Sequence, residues 1–359
     1  MKQGILYNKF FETFDKSKIK DIQDYDKVKK LYKKRLSTKE IKDKTNITKD
    51  KIYNWLFRNT IPYCVRTLKI AKGRGYFNRI LKKDLEWLAY LVGYNLGDGN
   101  ISKNLCHTWF YGINSDLEKI KKLLLKFKVK PIIYTYKINN GKMNISDTTF
   151  SRFLYSLGAV IGDKTKSDYS VPNWIYGSGR CSVYKKRFLQ GLCDSELSEV
   201  KRIKDRRFSF QSLKYYMVKE EKHIKNGIKY LNKLRDIFWE FEVTSTKIKI
   251  DRNYVRSRDK SKMTQLYFII HSNYQNLFNF SKNIGFLYTS KRVINKGLLL
   301  KFKKLSNIEK QKVIKYKQAI NLRSNGLSAY QISKALNFPD HYIKSWIYCN
   351  RKPRSICRL

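Results

Sequence analysis

The sequence predicts an α+β protein in which a central, duplicated unit of helices and strands lies between two all-helical modules. Three observations carry this. Residues 36–62 recur without a gap at 327–353. Two glycine-bearing helical segments, each ending on an acid, recur at an offset of 98. The 359 residues hold 77 Lys and Arg against 29 Asp and Glu, a net charge of +48. That excess opposes compaction and calls for a polyanion, most often nucleic acid. With 42% hydrophobic and 14% aromatic residues, the chain is not a disordered basic tail. No run approaches 18 uncharged apolar residues, so no membrane span is expected, and the first residues lack the apolar core of a secretion signal. Six scattered cysteines without CxxC pairs, and four dispersed histidines, predict reduced thiols rather than a zinc site or disulfide frame. An intracellular protein is expected, cytoplasmic, nucleoid-associated or organellar.

The terminal modules span residues 1–75 and 303–359. Of the 27 aligned positions, eight are identical: Leu36/Leu327, Ser37/Ser328, Ile41/Ile332, Asn46/Asn337, Ile52/Ile343, Trp55/Trp346, Asn59/Asn350 and Pro62/Pro353. Each unit opens with a capping box, Ser37 with Glu40 and Ser328 with Gln331. A short helix, a break at Asn46 or Asn337, and a longer second helix carrying Ile and Trp three apart make the layout of a helix-turn-helix. The polar positions of the second helix would then face DNA: Lys49, Lys51, Tyr53 and Asn54 in one copy, His341, Tyr342 and Lys344 in the other. Arg58, Arg351 and Lys352, just beyond, suit phosphates. A helical hairpin used only for packing is the competing reading.

In the centre, a helix expected from an Asp84 N-cap ends in Gly93-Tyr-Asn-Leu-Gly97-Asp98-Gly99, and another, from about Lys185, ends in Gly191-Leu-Cys-Asp-Ser195-Glu196-Leu197. Small residues four apart, Gly93/Gly97 and Gly191/Ser195, leave a flat stripe on which two helix backbones can approach closely. Asp98 and Glu196 would then stand together at two helix C-termini, where the macrodipole already favours cations. Stability alone would put Lys there. A divalent cation resolves the conflict, since hard oxygen ligands from two helices suit Mg²⁺ with open positions for water and a phosphate oxygen.

The pair LVGYNLGDG and LQGLCDSEL resembles the double-motif LAGLIDADG homing endonucleases, in particular the subtype found in inteins. The likeness extends over about residues 81–296. Leu157-Gly-Ala-Val-Ile-Gly-Asp-Lys164 with Val171-Pro-Asn-Trp-Ile175 is similar to the stretch closing the family's first half, and Ile284 to Lys291 is its counterpart at an offset of 127. That offset brings Phe153 onto Phe280, Gly158 onto Gly285 and Lys164 onto Lys291. The resemblance implies a pseudo-twofold αββαββα core, with halves at 81–180 and 185–298, whose two sheets form a saddle over duplex DNA. Strand-like pieces near 100–113 and 132–146 flank a helix at 115–127. Strand-like 198–216, a helix at 219–240, and strands at 247–250 and 266–270 follow. The resemblance further implies that Asp98 and Glu196 hold two or three Mg²⁺ ions between them, and that basic residues nearby assist. Lys164 and Lys291 are the symmetric candidates, with Lys166 and Lys214 as rivals. Motif one carries Leu96 where the family often has Asp, and motif two replaces the closing Gly with Leu197, so Glu196 is expected to sit differently and nicking competes with double-strand cleavage. The chain ends show no splicing residues, so a free-standing protein is expected.

Lys201, Arg202, Arg206, Arg207, Lys247, Lys249, Arg252, Arg256 and Arg258 fall in the strand-like segments and together fit a phosphate-tracking surface. The sequence reading is thus a Mg²⁺-dependent, site-specific endodeoxyribonuclease serving intron or intergenic homing, monomeric because one chain supplies both motifs. Double-stranded DNA is its expected partner. A LAGLIDADG-derived transcription regulator without cleavage, and a maturase bound to intron RNA, are the alternatives.

Overall fold

The computed structural model describes residues 3–77, 84–198, 200, 210–287 and 291–353, with the backbone alone fixed over 291–303. Helices α1 (Gln3–Phe11), α2 (Lys16–Lys33), α3 (Thr38–Thr45), α4 (Lys49–Leu56) and α5 (Tyr63–Gly73) form the first unit. Within it, α3 and α4 are joined by a turn at Asn46, and both have eight residues, so the second helix is not the longer one. The repeat explains itself residue by residue. Both capping boxes close: the Ser37 amide donates to Glu40 (2.8 Å) and the Ser328 amide to Gln331 (2.8 Å). Asn46, Asn59, Asn337 and Asn350 all take positive φ, between 44° and 56°, a region asparagine tolerates better than most side chains. Ile41, Ile52, Ile332 and Ile343 are fully buried.

The first half of the centre runs α6 (Leu85–Leu96), β1 (Gly99–Ile101), β2 (Thr108–Ile113), α7 (Asn114–Lys126), β3 (Ile132–Lys137), β4 (Asn140–Ile145) and α8 (Thr148–Ser156). A short α9 (Asn173–Tyr176) leads to the second: α10 (Val183–Glu196), β5 (Leu213–Glu220), α11 (Ile224–Glu240), β6 (Lys249–Val255), β7 (Lys262–Ile270) and α12 (Tyr274–Asn279). Then come α13 (Lys291–Ser324), α14 (Ala329–Leu336) and α15 (Asp340–Ile347). The sheets are antiparallel, ordered β1-β2-β4-β3 and β5-β7-β6. The second thus repeats the order of β2-β4-β3, and the segment where a mate for β1 would fall, 201–209, lies outside the described residues. The fold is mixed α+β.

Alternation builds the sheets. Thr108, Phe110, Met143 and Ile145 are buried against helices while Trp109, Tyr111, Lys142 and Asn144 face away. The same alternation carries β5 to Glu220, so the helix expected from 219 begins only at Ile224. Helix α6 is buried on all sides from Leu88 to Leu96, which marks it as a core helix rather than an amphipathic surface one. Asp84 takes the N-cap position there without a side-chain hydrogen bond, whereas Ser182 caps α10 by accepting from Lys185 N.

The terminal units attach differently. Arg152 of α8 reaches Thr13 Oγ1 (3.1 Å) and lies 4.3 Å from the Phe14 ring, and the Tyr76 hydroxyl donates to Phe127 O (3.0 Å). The first unit therefore shares the main hydrophobic core. The last has its own small core of Ala319, Ala329, Ile332, Leu336, Ile343 and Trp346.

Candidate active site at the abutting ends of two helices

Helices α6 and α10 touch backbone to backbone. A methyl on Gly93 would overlap the Phe188 carbonyl oxygen and one on Gly191 the Tyr90 carbonyl oxygen. On Gly97 it would strike the Ser195 hydroxyl and lie 3.0 Å from Glu196 Cγ. The small-residue stripe thus brings Glu196 against the last turn of α6. Gly99 is needed for a second close approach, because the chain folds back on Asn95 as it enters β1.

The two acids leave their helices differently. Asp98 lies beyond the end of α6, exposed on the turn into β1. Glu196 is the last residue of α10, half-buried, and Leu197 after it is extended (φ −89°, ψ 142°) and buried. Leucine in the place of the motif's closing glycine thus leaves the helix in extended backbone with its side chain in the core.

Lys164 closes the end of α6. Its ammonium donates to the carbonyls of Asn95 (3.1 Å), Leu96 (3.0 Å) and Gly97, the oxygens left open at a helix C-terminus. Burial pushes its pKa down, while Glu196, Asp98 and Asp163 pull it back up. Lysine does occupy the helix end, as stability demands, but it arrives from a distant segment and stands beside the acids. Its chemistry here is positioning, since all three donors are engaged by backbone.

Sequence reasoning missed the anchors of that segment. Val160 N donates to Asn95 Oδ1 (3.0 Å) and Leu287 N to Asp194 Oδ1 (3.1 Å). These amides are 127 residues apart, the offset of the second internal repeat. Gly158 and Gly285 both need positive φ, 103° and 65°. Asp194 also accepts from the Tyr90 hydroxyl (2.8 Å). Asn95 therefore takes in motif one the amide-anchoring part that Asp194 takes in motif two, which the focus on Leu96 concealed.

Behind Lys164 lies another lysine, one that the sequence did not single out. Lys219 of β5 is fully buried, donates to Lys164 O (2.9 Å) and Ser167 O (2.6 Å), and sits 3.9 Å from the Tyr169 ring centre. Burial lowers its pKa to about 8, against the pull of Asp168 and Asp163. A shallow cleft beside it is lined by Leu96, Lys164, Tyr169, Glu196 and Tyr215. Burial, with the Glu196 charge adding, raises the phenol pKa values of Tyr169 and Tyr215.

The remaining expected residues are scattered. Lys166 pairs with Asp259 (2.8 Å), and Arg256 and Arg258 pair with Asp163 (3.0 and 2.7 Å), so these three tie the 163–166 turn to the β6–β7 turn rather than lying free for phosphates. Lys51 is held by Asp21 (2.7 Å), half-buried over Trp55, and Lys344 by Asp340 (2.7 Å). Each faces a carboxylate one helical turn away or on a neighbouring helix, so neither is an unpaired phosphate arm. Lys49, Arg58, Lys247, Lys249, Arg252 and Arg351 are exposed, and Asn54 is half-buried beside Arg58. Lys214 lies on the outer face of β5, over Tyr216 and Tyr267. Lys201, Arg202, Arg206 and Arg207 lie outside the described residues, as does the side chain of Lys291 at the start of α13.

Among the described residues no three His, Cys, Asp or Glu side chains gather as a metal cage. Two carboxylates suit a hard cation that keeps water and substrate oxygens in its shell. No helix is long and apolar enough to cross a membrane among the described residues.

No family model matches the chain. Over 309 residues it is 25% identical to the tRNA-splicing ligase RtcB of Methanocaldococcus jannaschii, covering 78% of this chain and 30% of the relative. Over 228 residues it is 28% identical to the DNA-directed RNA polymerase subunit Rpo1N of the same organism, covering 57% of this chain and 16% of the relative. The chain thus spans less than a third of the length of these curated relatives. Among solved structures, the homing endonuclease I-DmoI superposes with a TM-score of 0.35 at 15% identity, over 56% of this chain and 90% of that one.

Proposed function

We propose that the protein is a site-specific, Mg²⁺-dependent DNA endonuclease of the LAGLIDADG homing type. The observation that carries this reading is the pair Asp98 and Glu196 at the abutting ends of α6 and α10, with Lys164 wedged beside them. The pseudo-twofold relation, the monomeric state and the DNA-reading use of α3–α4 and α14–α15 belong to the same proposal. A further support is that the matched relatives are named for unrelated activities, a ligase and a polymerase subunit, each over a minor share of its length. A segment shared by such proteins fits a mobile insert better than a part of either activity.

In this reading Asp98 and Glu196 would hold the cation, which supplies Lewis-acid activation of water and of the scissile phosphate. The chain's own contribution is placement. The glycine stripe sets the two carboxylates at adjoining helix ends, and Lys164 fixes the turn that carries Asp98 while its charge offsets theirs. Asp98 faces solvent and Glu196 is half-buried among tyrosines, so the two strands of a duplex would meet unequal sites, and a nick should precede the second cut.

A randomised-duplex selection with Mg²⁺ supplies a target, and plasmid cleavage then tests the reading. Asp98→Asn and Glu196→Gln should each abolish cutting on at least one strand while sequence-specific binding persists. A double variant that still cuts both strands sinks the assignment. Wild type that binds the duplex without ever cutting it makes the chain a regulator, and tighter binding of intron RNA at matched salt makes it a maturase.

A further inference from the structure

Two turns, one from each half of the centre, meet near the candidate site and exchange charges. In the 163–166 turn, Asp163 Oδ1 accepts from the Thr165 amide (3.0 Å) and hydroxyl (2.7 Å). Its Oδ2 accepts from Arg256 Nη1 (3.0 Å) and Arg258 Nη2 (2.7 Å) of the β6–β7 turn. In that second turn, Asp259 accepts from Arg256 Nε (2.9 Å) and Nη2 (2.6 Å) and from Lys166 Nζ (2.8 Å). The acid of each turn is thus met by cations of the other, and Arg256 spans both acids with its three nitrogens. A planar guanidinium fixes such a geometry where an ammonium, a single point charge, does not.

Both sides of this clamp lead to functional parts. All seven residues of β6 are exposed, so its position rests chiefly on the ladder to β7 and on the clamp. It carries Lys249 and Arg252, exposed cations on the surface expected to track phosphates. The 163–166 turn carries Lys164, whose ammonium closes the last turn of α6 directly ahead of Asp98. Upstream, the same segment is fastened to motif one by Val160 N on Asn95 Oδ1 (3.0 Å) and Gly162 N on Ile101 O (2.8 Å). Isolated surface ion pairs add little stability, and in a chain with only 29 acids two of them hold this one contact. We infer that Asp163 and Arg256 are positioning residues acting through Lys164: their clamp ties a duplex lying on the β6–β7 hairpin to the placement of Asp98. This rests on the endonuclease reading above and deepens it by naming how substrate contact reaches the acid site.

The target duplex comes from a randomised pool selected with Ca²⁺ in place of Mg²⁺. The full chain is compared with Asp163→Asn, Asp163→Ala and Arg256→Lys, each checked for folding by thermal melting. Asparagine keeps the acceptor for Thr165 but turns an amide on the two arginines, so it opens the clamp and spares the local turn. Lysine keeps the charge but cannot span both acids. The measurements are duplex affinity in Ca²⁺, the single-turnover rate on each strand in Mg²⁺, and amide hydrogen exchange over 160–167 with and without duplex. All three variants should bind within about twofold of wild type yet cut at least one strand about ten- to a hundredfold more slowly, the loss that a misplacement of about 1 Å brings. Duplex should slow exchange over 160–167 in wild type and not in the variants. Asp163→Asn matching wild type in rate and exchange overturns the inference, because the local turn alone then matters. Affinity falling as far as the rate also overturns it, because the clamp residues then bind substrate directly. A wild type that binds the duplex and never cuts removes the endonuclease reading, and the exchange measurement still decides the clamp.

Discussion

Replacing Gly191 by alanine should damage this protein, although the same change stabilises most helices. In a helix interior, Gly→Ala contributes about 0.5–1 kcal/mol through lower backbone entropy in the unfolded chain and better propensity. Here the new methyl would overlap Tyr90 O and stand 2.8 Å from Tyr94 N and 3.0 Å from Tyr90 C. Ordinary carbon contacts lie near ~3.5–4.0 Å. Every obstacle is backbone of α6, so no rotamer change relieves it, and the helices must part by about 1 Å. A gap of that size forfeits roughly a quarter to a half of each facing dispersion contact, and overpacked cores lose about 1–3 kcal/mol. Taking the upper end, because backbone cannot yield, and subtracting the propensity gain leaves a net loss of about 2 kcal/mol. Gly73, at the end of α5, is the control: a methyl there meets nothing within 4 Å. Urea unfolding of the two variants beside wild type gives the answer in the midpoints at constant slope. Gly191→Ala should fall and Gly73→Ala should hold or rise. A Gly191→Ala variant as stable as wild type would refute close backbone packing, and with it the placement of the acids.

Further predictions concern charge and modularity. Lys219 has a folded pKa of about 8, below that of a free lysine, so the unfolded chain binds the extra proton between that pH and about 10.4. Its burial therefore costs stability below pH 8 and the cost fades as pH rises, so wild type should gain on Lys219→Met across that window in paired melts, and parallel curves would refute this. Lys164→Met removes the donor that satisfies three carbonyls of α6 and should lower stability by about 1–3 kcal/mol, measured by urea midpoint. Trp346→Ala should melt the last unit alone, because its core is separate, whereas Trp55→Ala should lower the main transition; calorimetry distinguishes one transition from two. Duplex affinity should fall steeply with salt, by about 0.9 log unit per tenfold change in salt for each phosphate neutralised, and a flat salt titration would deny the basic surface any part in binding.

How far the sequence reached can be judged from particular residues. The end repeat was legible because its identities are each demanded locally: serine to cap, asparagine to take positive φ, isoleucine and tryptophan to fill a small core. The acids were legible because two helical segments repeat the same small-residue spacing. The basic residues misled, since charge alone does not say which lysines are engaged. Arg256 and Arg258 were expected on a phosphate-tracking surface, Lys51 on the DNA-facing side of its helix and Lys166 beside the acids, and all four are ion-paired within the protein. Asn95 and Lys219 gave no sequence signal, because an asparagine beside a motif and one lysine among 77 cations are unremarkable until burial singles them out.

The sequence by itself determined which pieces are helices and strands, which faces they bury, and that two glycine-striped helices carry acids at their ends. These are properties of spacing and local propensity, and spacing is written in the chain. Only the tertiary structure decided what surrounds those acids. Lys164 reaches the end of α6 from nearly 70 residues away, Lys219 holds the turn that delivers it, and Leu197 buries its side chain in the core directly after Glu196. Such contacts depend on which surfaces meet after folding, and burial then selects, from an excess of identical charges, the few that stand beside the site.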